Sequence, residues 1–397
     1  MSFNIATTGL NAITEQLNSI SNNIANSGTV GFKSGRAEFA SLYAEGQALG
    51  VGVTGVTQSI SKAGSITAGS SSLDLAIQGN GFFVVRDSAG TTAYTRAGYF
   101  GTDSNGNLIN NLGMNLQGYP VDANGVLQTG TVGNLAVKSG SIPAKATDSI
   151  DFTANLDANA KVPETTTFDP KDNTSYNNTY ATTVYDSLGR EHTVNQYFVK
   201  TDDNKWEVHY FMDDQPLSNP ATQNIEFSDQ GVLQTPNGKV SMSIDVPGAQ
   251  SLSIDMSYNG TTQYGSDFTV SKNTGSGYAS GEKTGQQIDK DGSVYATFSN
   301  GERMLQGQLI LANFANPNGL SSQDGTTWAQ TASSGTPLTG APGSGLLGSV
   351  LSGSLEGSNV DMTSELVGLM TAQRNYQANT KVISTNDSMM TALFQAV

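Results

Sequence analysis

The sequence predicts a mainly β, multi-domain protein whose N- and C-terminal α-helices form a coiled-coil inner domain. Three observations support this fold class. Apolar residues at the N terminus recur at spacings of three and four, the middle of the chain alternates apolar and polar residues between Asn-Gly turns, and a seven-residue period returns at the C terminus. The middle is predicted to be a discontinuous β domain that carries an inserted β domain.

The N-terminal segment MSFNIATTGLNAITEQLNSISNNIANSGTVGFK has the heptad pattern of a helix that packs lengthwise on another helix. The apolar seam residues are Phe3, Ala6, Leu10, Ile13, Leu17, Ile20 and Ile24. The pattern predicts a helix over residues 3–26, interrupted only by Gly9. Residues 1–33 are therefore assigned, with residues 358–397, to a terminal helical domain.

The next segment, residues 34–71, is poor in large apolar residues. It contains GQALGVGVTGVTQ and AGSITAGSSS, which are rich in Gly and Ser. Such composition predicts an extended or flexible connector with one strand at most.

From Leu73 the pattern changes to short alternating strands separated by turns. Asn-Gly pairs mark several of these turns: Asn80-Gly81, Asn105-Gly106, Asn124-Gly125, Asn237-Gly238, Asn259-Gly260 and Asn300-Gly301. This dipeptide favours type I′ hairpins, because both central residues of that turn need positive φ.

Two stretches rich in small residues divide the β-rich middle of the chain. They are SGSIPAKA at 139–146 and SKNTGSGYASGEKTG at 271–285. A flexible linker segment on each side of a group of strands indicates an inserted domain. The predicted β domain therefore comprises residues 72–145 and 286–357, and the outer β domain comprises residues 146–285.

The helical period returns near residue 362. Residues at intervals of seven are Met362, Leu369, Tyr376, Ile383, Met390 and Val397, and Leu366 lies one turn after the first of them. Ser358, Asn359 and Asp361 are eligible N-caps. The second seam position holds polar residues, Gln373, Thr380 and Asp387. The last helix is therefore the predicted partner of the first.

Composition limits the classes of function. Lys plus Arg number 19 against 34 for Asp plus Glu, so the net charge of −15 disfavours a nucleic-acid partner. The chain has no Cys, and no apolar run reaches the length of a membrane span. The N terminus lacks the basic and apolar regions of a secretory signal, which predicts a cytoplasmic protein or one exported without signal cleavage.

Catalytic and metal-binding patterns are weak. The two histidines, His192 and His209, lie inside alternating strands, and GSGLLG at 343–348 does not follow a strand that opens a βαβ unit. DSNGN at 103–107 and DKDG at 289–292 lack the remaining ligands of a calcium loop. We therefore predict no catalytic, cofactor-binding or metal-binding residues, no cofactor and no enzymatic activity.

The terminal helix has little stability of its own. Burying seven seam residues contributes on the order of 10–15 kcal/mol, whereas ordering the backbone costs at least about 1 kcal/mol per residue. Two alternatives follow: a two-helix stalk that forms within one monomer, or terminal segments that stay disordered until neighbouring copies add contacts.

Four long motifs resemble those of the axial rod and hook proteins of the bacterial flagellum. They are ISNNIANSGTVGFK at 20–33, LDLAIQGNGFFVVRD at 73–87, YTRAGYFGTDSNGNLINNLGMNLQGYPVD at 94–122 and GSLEGSNVDMTSELVGLMTAQRNYQANTKVISTNDSMM at 353–390. Within that family, the insert and the segments TVYDSLGREHTVNQYFVK and GQLILANFANPNGLSS resemble hook proteins. The resemblance covers the whole chain, most loosely at 215–285.

The resemblance implies a structural subunit that polymerises into the hook, the curved tube that transmits torque from rod to filament. It implies export through the flagellar type III apparatus without signal cleavage, and contacts with the distal rod protein, the hook-cap scaffold and the hook-filament junction protein. The terminal helices would line an inner tube, and the two β domains would form a middle and an outer layer. No membrane insertion is implied.

Two residue sets are carried over by position. The inner-tube set is Phe3, Leu10, Ile13, Leu17, Ile20, Ile24, Met362, Leu366, Leu369, Tyr376, Ile383 and Met390. The family-signature set is Asn22, Asn23, Asn26, Gly31, Phe32, Lys33, Gln373, Arg374 and Tyr376.

Other functions compete with this interpretation. A distal rod protein or a hook-filament junction protein of the same family is one alternative, although the inserted domain argues against the rod protein. A secreted β-rich adhesin or carbohydrate-binding protein is an alternative from another class. The hook interpretation adds a mechanical expectation, in which polar β surfaces of low charge exchange contacts at small cost and the flexible connector lets the helices and β layers shift separately.

Overall fold

The computed structural model describes residues 2–396 except 45–46, 123–124, 139 and 218. It contains two compact units. Unit 1 comprises Met1–Ser139, Gly285–Thr297 and Arg303–Val397, and unit 2 comprises Gly140–Thr284 and Phe298–Glu302. None of the helices in the described part of the chain is long and apolar enough to cross a membrane.

Two long helices occupy the chain ends, which confirms the predicted fold class of a mainly β chain with terminal helices that pack together. Helix α1 spans Ser2–Ala25 and helix α2 spans Met362–Ala396. The predicted seam position Val397 lies outside the described residues. A single 3₁₀ turn over Pro317–Gly319 is the other helical element in the described ranges.

The strands before the insert belong to unit 1. They are β1 (Gly35–Ala44), β2 (Gln47–Gln58), β3 (Ile66–Ala68), β4 (Leu75–Gln78), β5 (Phe82–Arg86), β6 (Thr92–Thr95), β7 (Phe100–Thr102), β8 (Leu108–Asn110), β9 (Asn115–Pro120) and β10 (Gly133–Asn134).

The next strands in chain order lie in unit 2, except that the last of them, β23, continues into unit 1. They are β11 (Ser141–Ile142), β12 (Ser149–Asp157), β13 (Asn178–Tyr185), β14 (Glu191–Asp202), β15 (Lys205–Met212), β16 (Gln215–Pro216), β17 (Thr222–Phe227), β18 (Leu233–Thr235), β19 (Lys239–Ile244), β20 (Leu252–Ser257), β21 (Thr262–Tyr264), β22 (Thr269–Gly275) and β23 (Gly281–Ile288).

The remaining strands lead to the C-terminal helix. They are β24 (Ser293–Phe298), β25 (Arg303–Leu309), β26 (Leu311–Asn313), β27 (Ser321–Gln323), β28 (Thr327–Ala329), β29 (Leu338–Gly340), β30 (Ser349–Ser352) and β31 (Ser354–Glu356).

The sheet of unit 1 is antiparallel, with the order β24-β25-β9-β5-β6-β28-β27 along its main path. Aromatic side chains fill one side of it. The Phe82 ring lies edge-on to Trp328 at 5.7 Å and to Phe314 at 6.0 Å between centroids, and Tyr94 contacts Phe314 in the same manner. Edge-to-face pairs of this kind stabilise a core beyond the area that they bury.

Unit 2 is a sandwich of two sheets. Strands β19-β20-β12-β21 form one sheet with β22, and strands β13-β14-β15-β17-β18 form the other with β16. Strand β15 alternates buried residues with exposed or half-buried ones along its length, so that every second side chain enters the core. Trp206, Tyr210 and Tyr258 are among the fully buried side chains between the sheets.

The segment after α1 differs from its prediction. Strands β1 and β2 form a long antiparallel hairpin over Gly35–Gln58, so an extended connector with one strand is wrong. Composition concealed the hairpin because Gly interrupts β2 at positions 50, 52 and 55. Two of these glycines, Gly50 and Gly55, take positive φ, and the register shifts nearby. Glycine here allows an irregular strand rather than a flexible connector.

The Asn-Gly turns also differ from prediction. In the described pairs only the glycine takes positive φ, for example Gly106 at +84° and Gly301 at +85°. The Gly106 amide donates to the Asp103 carbonyl oxygen, as in a type I turn that a left-handed glycine closes, and not as in the predicted type I′ turn. Asn124 lies outside the described residues. Consecutive positive φ occurs instead at Asp213 and Asp214, between β15 and β16.

Candidate assembly surface and the junction at its base

Helices α1 and α2 pack together through a small apolar cluster. Ile13, Ile20 and Ala372 are buried in it, and Leu17, Ile24 and Leu369 pack against them. Small residues let the helices approach closely, because a Cβ atom at Gly368 would lie 3.4 Å from Ile20 Cδ1. These contacts bring together the middle and end of α1 with the first third of α2.

The row of α2 that faces α1 lies one residue away from the predicted second seam position. Glu365, Ala372 and Asn379 contact α1, whereas the predicted position Gln373 is exposed. The prediction was wrong because it searched for large apolar residues, whereas this contact uses a methyl group and two polar side chains.

Several predicted seam residues are exposed in the chain. Phe3 is 50% exposed, and Met362, Leu366, Tyr376 and Met390 are between 40% and 47% exposed. Leu10 and Ile383 are half-buried, and Gln373 and Arg374 of the signature set are exposed. Only part of the predicted inner-tube set therefore meets within one chain.

The exposed residues of α2 form a continuous feature, of which Met362 and Leu366 were predicted from the sequence and Met370 was not. Met362, Leu366 and Met370 recur every four residues and so lie on one face of the helix. We call these three residues the apolar stripe. Val367, which was not predicted, is 60% exposed beside it. The outer row of α1 is polar by contrast, with exposed Asn4, Asn11 and Asn18.

The β1–β2 hairpin covers another side of the helix pair. Asn23 at the end of α1 accepts a hydrogen bond from the Gly35 amide (2.8 Å) and donates to the Gly35 carbonyl oxygen (2.8 Å) and to Glu365 Oε1 of α2 (2.9 Å). One signature side chain thus connects both helices and the start of the hairpin. A cavity of about 330 Å³ lies between these three elements, lined by Ala12, Phe39 and Val51 among others.

The remaining N-terminal signature residues end α1. The Asn26 side chain donates to Asn22 Oδ1 (2.8 Å) and accepts from the Thr29 hydroxyl (3.0 Å). Gly31 has a φ of +74°, and a side chain there would press on the backbone of Ala97. Phe32 is half-buried. The turn therefore requires glycine and brings the following lysine into the interior.

That lysine is part of a buried ionic cluster, which we call the ionic joint: Lys33, Arg96 and Glu356. Lys33 Nζ lies 2.6 Å from Glu356 Oε1, and Arg96 Nη1 lies 3.0 Å from Glu356 Oε2. The side chains are 0%, 7% and 1% exposed, respectively. Burial raises the pKa of the Glu356 carboxyl, but the charges of Arg96 and Lys33 outweigh it and lower the pKa below its usual value.

Backbone groups complete the joint. Lys33 donates to the Lys62 carbonyl oxygen (2.8 Å), Arg96 donates to that of Gly79 (2.9 Å), and the Gly64 amide donates to Glu356 Oε1 (2.9 Å). Hydrogen bonds to most of the buried polar atoms are what allow charges to remain inside a protein. The sequence predicts Lys33 as a signature residue but does not indicate Arg96 or Glu356 as its partners.

The entry into α2 is fixed separately. Asp361 accepts hydrogen bonds from the amides of Thr363 (3.0 Å) and Ser364 (3.3 Å) and is therefore the N-cap among the three predicted candidates. Asn359 has another role, since it accepts from the Ser34 amide and donates to the carbonyl oxygens of Ser59 and Lys62.

The two histidines lie in structural contacts of unit 2. His192 contacts Asp213 at 2.6 Å and Asp186 at 3.4 Å, beside a cavity of about 400 Å³. The His209 ring stacks on Phe168, with centroids 3.9 Å apart. In the part of the chain that the structure describes, no group of His, Asp and Glu side chains could hold a metal ion.

Four family models match successive parts of the chain. They are described as flagella basal body rod protein at 3–33, flagellar hook protein FlgE/F/G D1 domain at 76–163, flagellar basal body protein FlaE D2 domain at 155–278, and flagellar basal body rod FlgEFG protein C-terminal at 351–396. The N-terminal match covers α1 and Lys33 of the ionic joint, and the C-terminal match covers Glu356 of the joint and α2.

Relatives match over nearly the whole chain. The flagellar hook protein FlgE of Salmonella typhimurium is 40% identical over 402 residues, and that of Escherichia coli is 39% identical over 401 residues, each with 99% of both chains covered. The crystal structure of Helicobacter pylori flagellar hook protein FlgE2 shares the fold, with a TM-score of 0.52, 13% identity, and coverage of 68% of this chain and 96% of that one.

The family matches to the paired chain-end helices and to the β-rich body place the chain in the class of flagellar basal body rod and hook proteins. The identity over the whole length narrows this class. The chain belongs to the flagellar hook protein family and is a structural subunit of the hook.

Proposed function

We propose that the subunit polymerises through the exposed face of its helix pair and that the resulting tube transmits torque as a universal joint. In this proposal the helices line the tube, the β strands of unit 1 form the middle layer and unit 2 forms the outer layer. The observation that carries the proposal is the apolar stripe on α2, which is 40–54% exposed in the single chain.

The stripe is too apolar for a surface that stays in water. Burying a Leu or Met side chain completely contributes about 1.5–3 kcal/mol, so each half-exposed member of the stripe gains about half of that on contact with another copy. Contiguous exposed apolar residues on a soluble protein mark interaction sites. The helices therefore complete their burial through assembly, which favours the second of the two alternatives from the sequence.

The same proposal extends to partners and export. We propose contacts with the distal rod protein, the hook-cap scaffold and the hook-filament junction protein, and export through the flagellar type III apparatus without signal cleavage. Support comes from the matches of both terminal segments to rod-protein families, since these segments would meet related subunits at the tube ends. The role is structural, without catalysis or a cofactor.

The test substitutes the stripe and leaves the β body unchanged. Leu366→Ser with Met370→Ser removes apolar surface from α2, and Leu338→Ser is the matched control, since that leucine is 62% exposed on the β part of unit 1. In cells that express each variant as their sole hook subunit, electron microscopy should show hooks for the control and none for the stripe variant. Normal hooks from the stripe variant would overturn the proposal.

Hydrogen exchange separates the two folding alternatives. We expect weak protection of the amides at Leu10–Ile24 in the dilute chain and strong protection in the assembled hook. Strong protection in the dilute chain would instead support a self-contained two-helix stalk.

A further inference from the structure

We propose that Glu356 is a positioning residue for assembly: through the ionic joint it fixes the direction in which the helix pair leaves the β body of unit 1. The inference rests on the proposed assembly through the helices, but it concerns a different part of the molecule.

Glu356 lies where both helical segments meet the β body. It is the last residue of β31 and precedes the N-cap Asp361 of α2. Its partner Lys33 follows the end of α1, and the pair is 323 positions apart in sequence. The second partner, Arg96, follows β6 of the β body. A single carboxylate therefore joins the two helix connections to the sheet.

Hydrogen bonds from backbone amides connect the same segments. The Gly31 amide donates to the Glu356 carbonyl oxygen (2.8 Å), and the Gly64 amide donates to its carboxylate (2.9 Å). Side chains are excluded around the joint, because a Cβ atom at Gly31 would press on Ala97 and one at Gly64 would clash with the Gly357 carbonyl oxygen. Close backbone contact of this kind leaves the two connections little freedom to bend.

Loss of Glu356 and loss of either cation have different consequences for the charge balance of the joint. Two cations share one anion in the interior, so neutralising Glu356 leaves two buried positive charges without a partner. Removal of one member of a buried ion pair is costly because the remaining charge is desolvated. Removing Lys33 or Arg96 instead leaves one cation and one anion in balance, and cuts only one side of the connection.

This difference in charge balance gives a clean experiment. Lys33→Met keeps the Arg96–Glu356 pair and removes the link to α1, and Arg96→Met keeps the Lys33–Glu356 pair and removes the link to the sheet. The matched control is Arg36→Met, which breaks a nearby exposed pair with Glu38 (2.7 Å). The chain has no Cys, so Ser88→Cys and Thr371→Cys add a unique pair of spin labels, one in the turn between β5 and β6 and one on α2.

Pulsed dipolar spectroscopy then reports the direction of the helix. It is run on labelled full-length chains that are co-assembled with an excess of unlabelled ones, because the helices are proposed to become ordered only in the assembly. We expect a single narrow distance distribution for the parent and for Arg36→Met, and a broad one for Lys33→Met and Arg96→Met, with thermal unfolding of unit 2 unchanged. Hooks of the two joint variants should be fewer than those of the control.

Distributions as narrow as the parent's in both joint variants would overturn the inference, because the joint would then contribute only to stability. If Lys33→Met does not accumulate as folded protein, Arg96→Met carries the same comparison. Failure of the assembly proposal would look different: the apolar-stripe variant would form hooks, while the joint variants would still broaden the distance distribution.

Discussion

The sandwich of unit 2 and the helix pair of unit 1 use apolar residues in opposite ways. Between the sheets, Phe198 and Val208 are fully buried, and the Tyr210 and Tyr258 hydroxyls hydrogen-bond each other at 2.8 Å. On the helices, Leu366 and Met370 are about half exposed. Periodic apolar residues therefore predict that a surface becomes buried, but not whether the same chain buries it.

Polar contacts show the same contrast. Inside unit 2, Tyr258 donates to Gln196 Oε1 (2.7 Å), so buried polar atoms are satisfied by one another. At the base of the helices, buried charges hold backbone groups from distant segments. The sandwich is thus complete by itself, whereas the helices are positioned at one end and left open along their length.

The largest effect should come from the sandwich core. Phe198→Ala removes a ring that stacks on Phe152 at 5.7 Å, and should lower the free energy of unfolding of unit 2 by about 3–5 kcal/mol. Ile13→Ala in the helix cluster should lower the free energy of unfolding by less, because that cluster is small. Urea unfolding followed by Trp206 fluorescence, in a Trp328→Phe background, reports unit 2, and far-UV circular dichroism reports the helices. Equal losses in the free energy of unfolding for the two variants would contradict the proposed difference between the sandwich core and the helix cluster.

The next effect tests the segment that joins the helices to the sheet. Gly64→Ala places a methyl group against the Gly357 carbonyl oxygen, so the backbone must move, and we expect a loss of about 1–3 kcal/mol. Gly52→Ala is the control, since its Cβ would meet only the flexible side chain of Leu42. Thermal unfolding of the full chain measures both. A Gly64 variant as stable as the control would show that this segment is loosely packed.

A smaller effect concerns the start of α2. Asp361→Ala removes a cap that accepts two amide hydrogen bonds and should cost about 1 kcal/mol. Hydrogen exchange should increase in the first turn of α2, and unit 2 should keep its protection. Asp387→Ala, at an exposed position inside the same helix, is the control. If exchange also increased across unit 2, the two regions would not be independent.

The sequence predicted the parts of the fold that depend on local pattern. The heptad spacing of Ile13 and Ile20 and the seven-residue return at Leu369 located both helices, because a buried helical face repeats along the chain. The ionic joint could not be predicted in this way. Lys33 and Glu356 are 323 positions apart, and nothing near either residue shows that the other neutralises it.

Two further differences have local causes. The contact row of α2 was placed one residue too far along, because Ala372 and Asn379 are not large apolar residues and still allow close approach. The hairpin after α1 was hidden by its glycines. Both predictions were wrong because they relied on the size and apolarity of side chains, whereas these contacts depend on how closely the backbones approach each other.

The smallest effect tests whether unit 2 is electrostatically self-contained. Burial lowers the pKa of His192, but hydrogen bonds to Asp213 and Asp186 outweigh it and raise the pKa above the usual 6.5. Its contribution to stability is therefore complete below pH 6.5 and is lost as the pH rises through the folded pKa. His209 has the opposite sign, because burial lowers its pKa and Glu207 only partly offsets this.

Nuclear magnetic resonance titration of these two histidines checks both signs in the full chain, and a His209→Gln variant assigns the signals. The same titration in the Asp361→Ala variant, whose α2 is weakened, should give unchanged midpoints, because every partner of the two rings named above lies in unit 2. A titration midpoint that shifts when α2 is weakened would show that the helices affect the electrostatics of the sandwich. Unchanged titration midpoints would show that the helices influence only unit 1, where the ionic joint holds them.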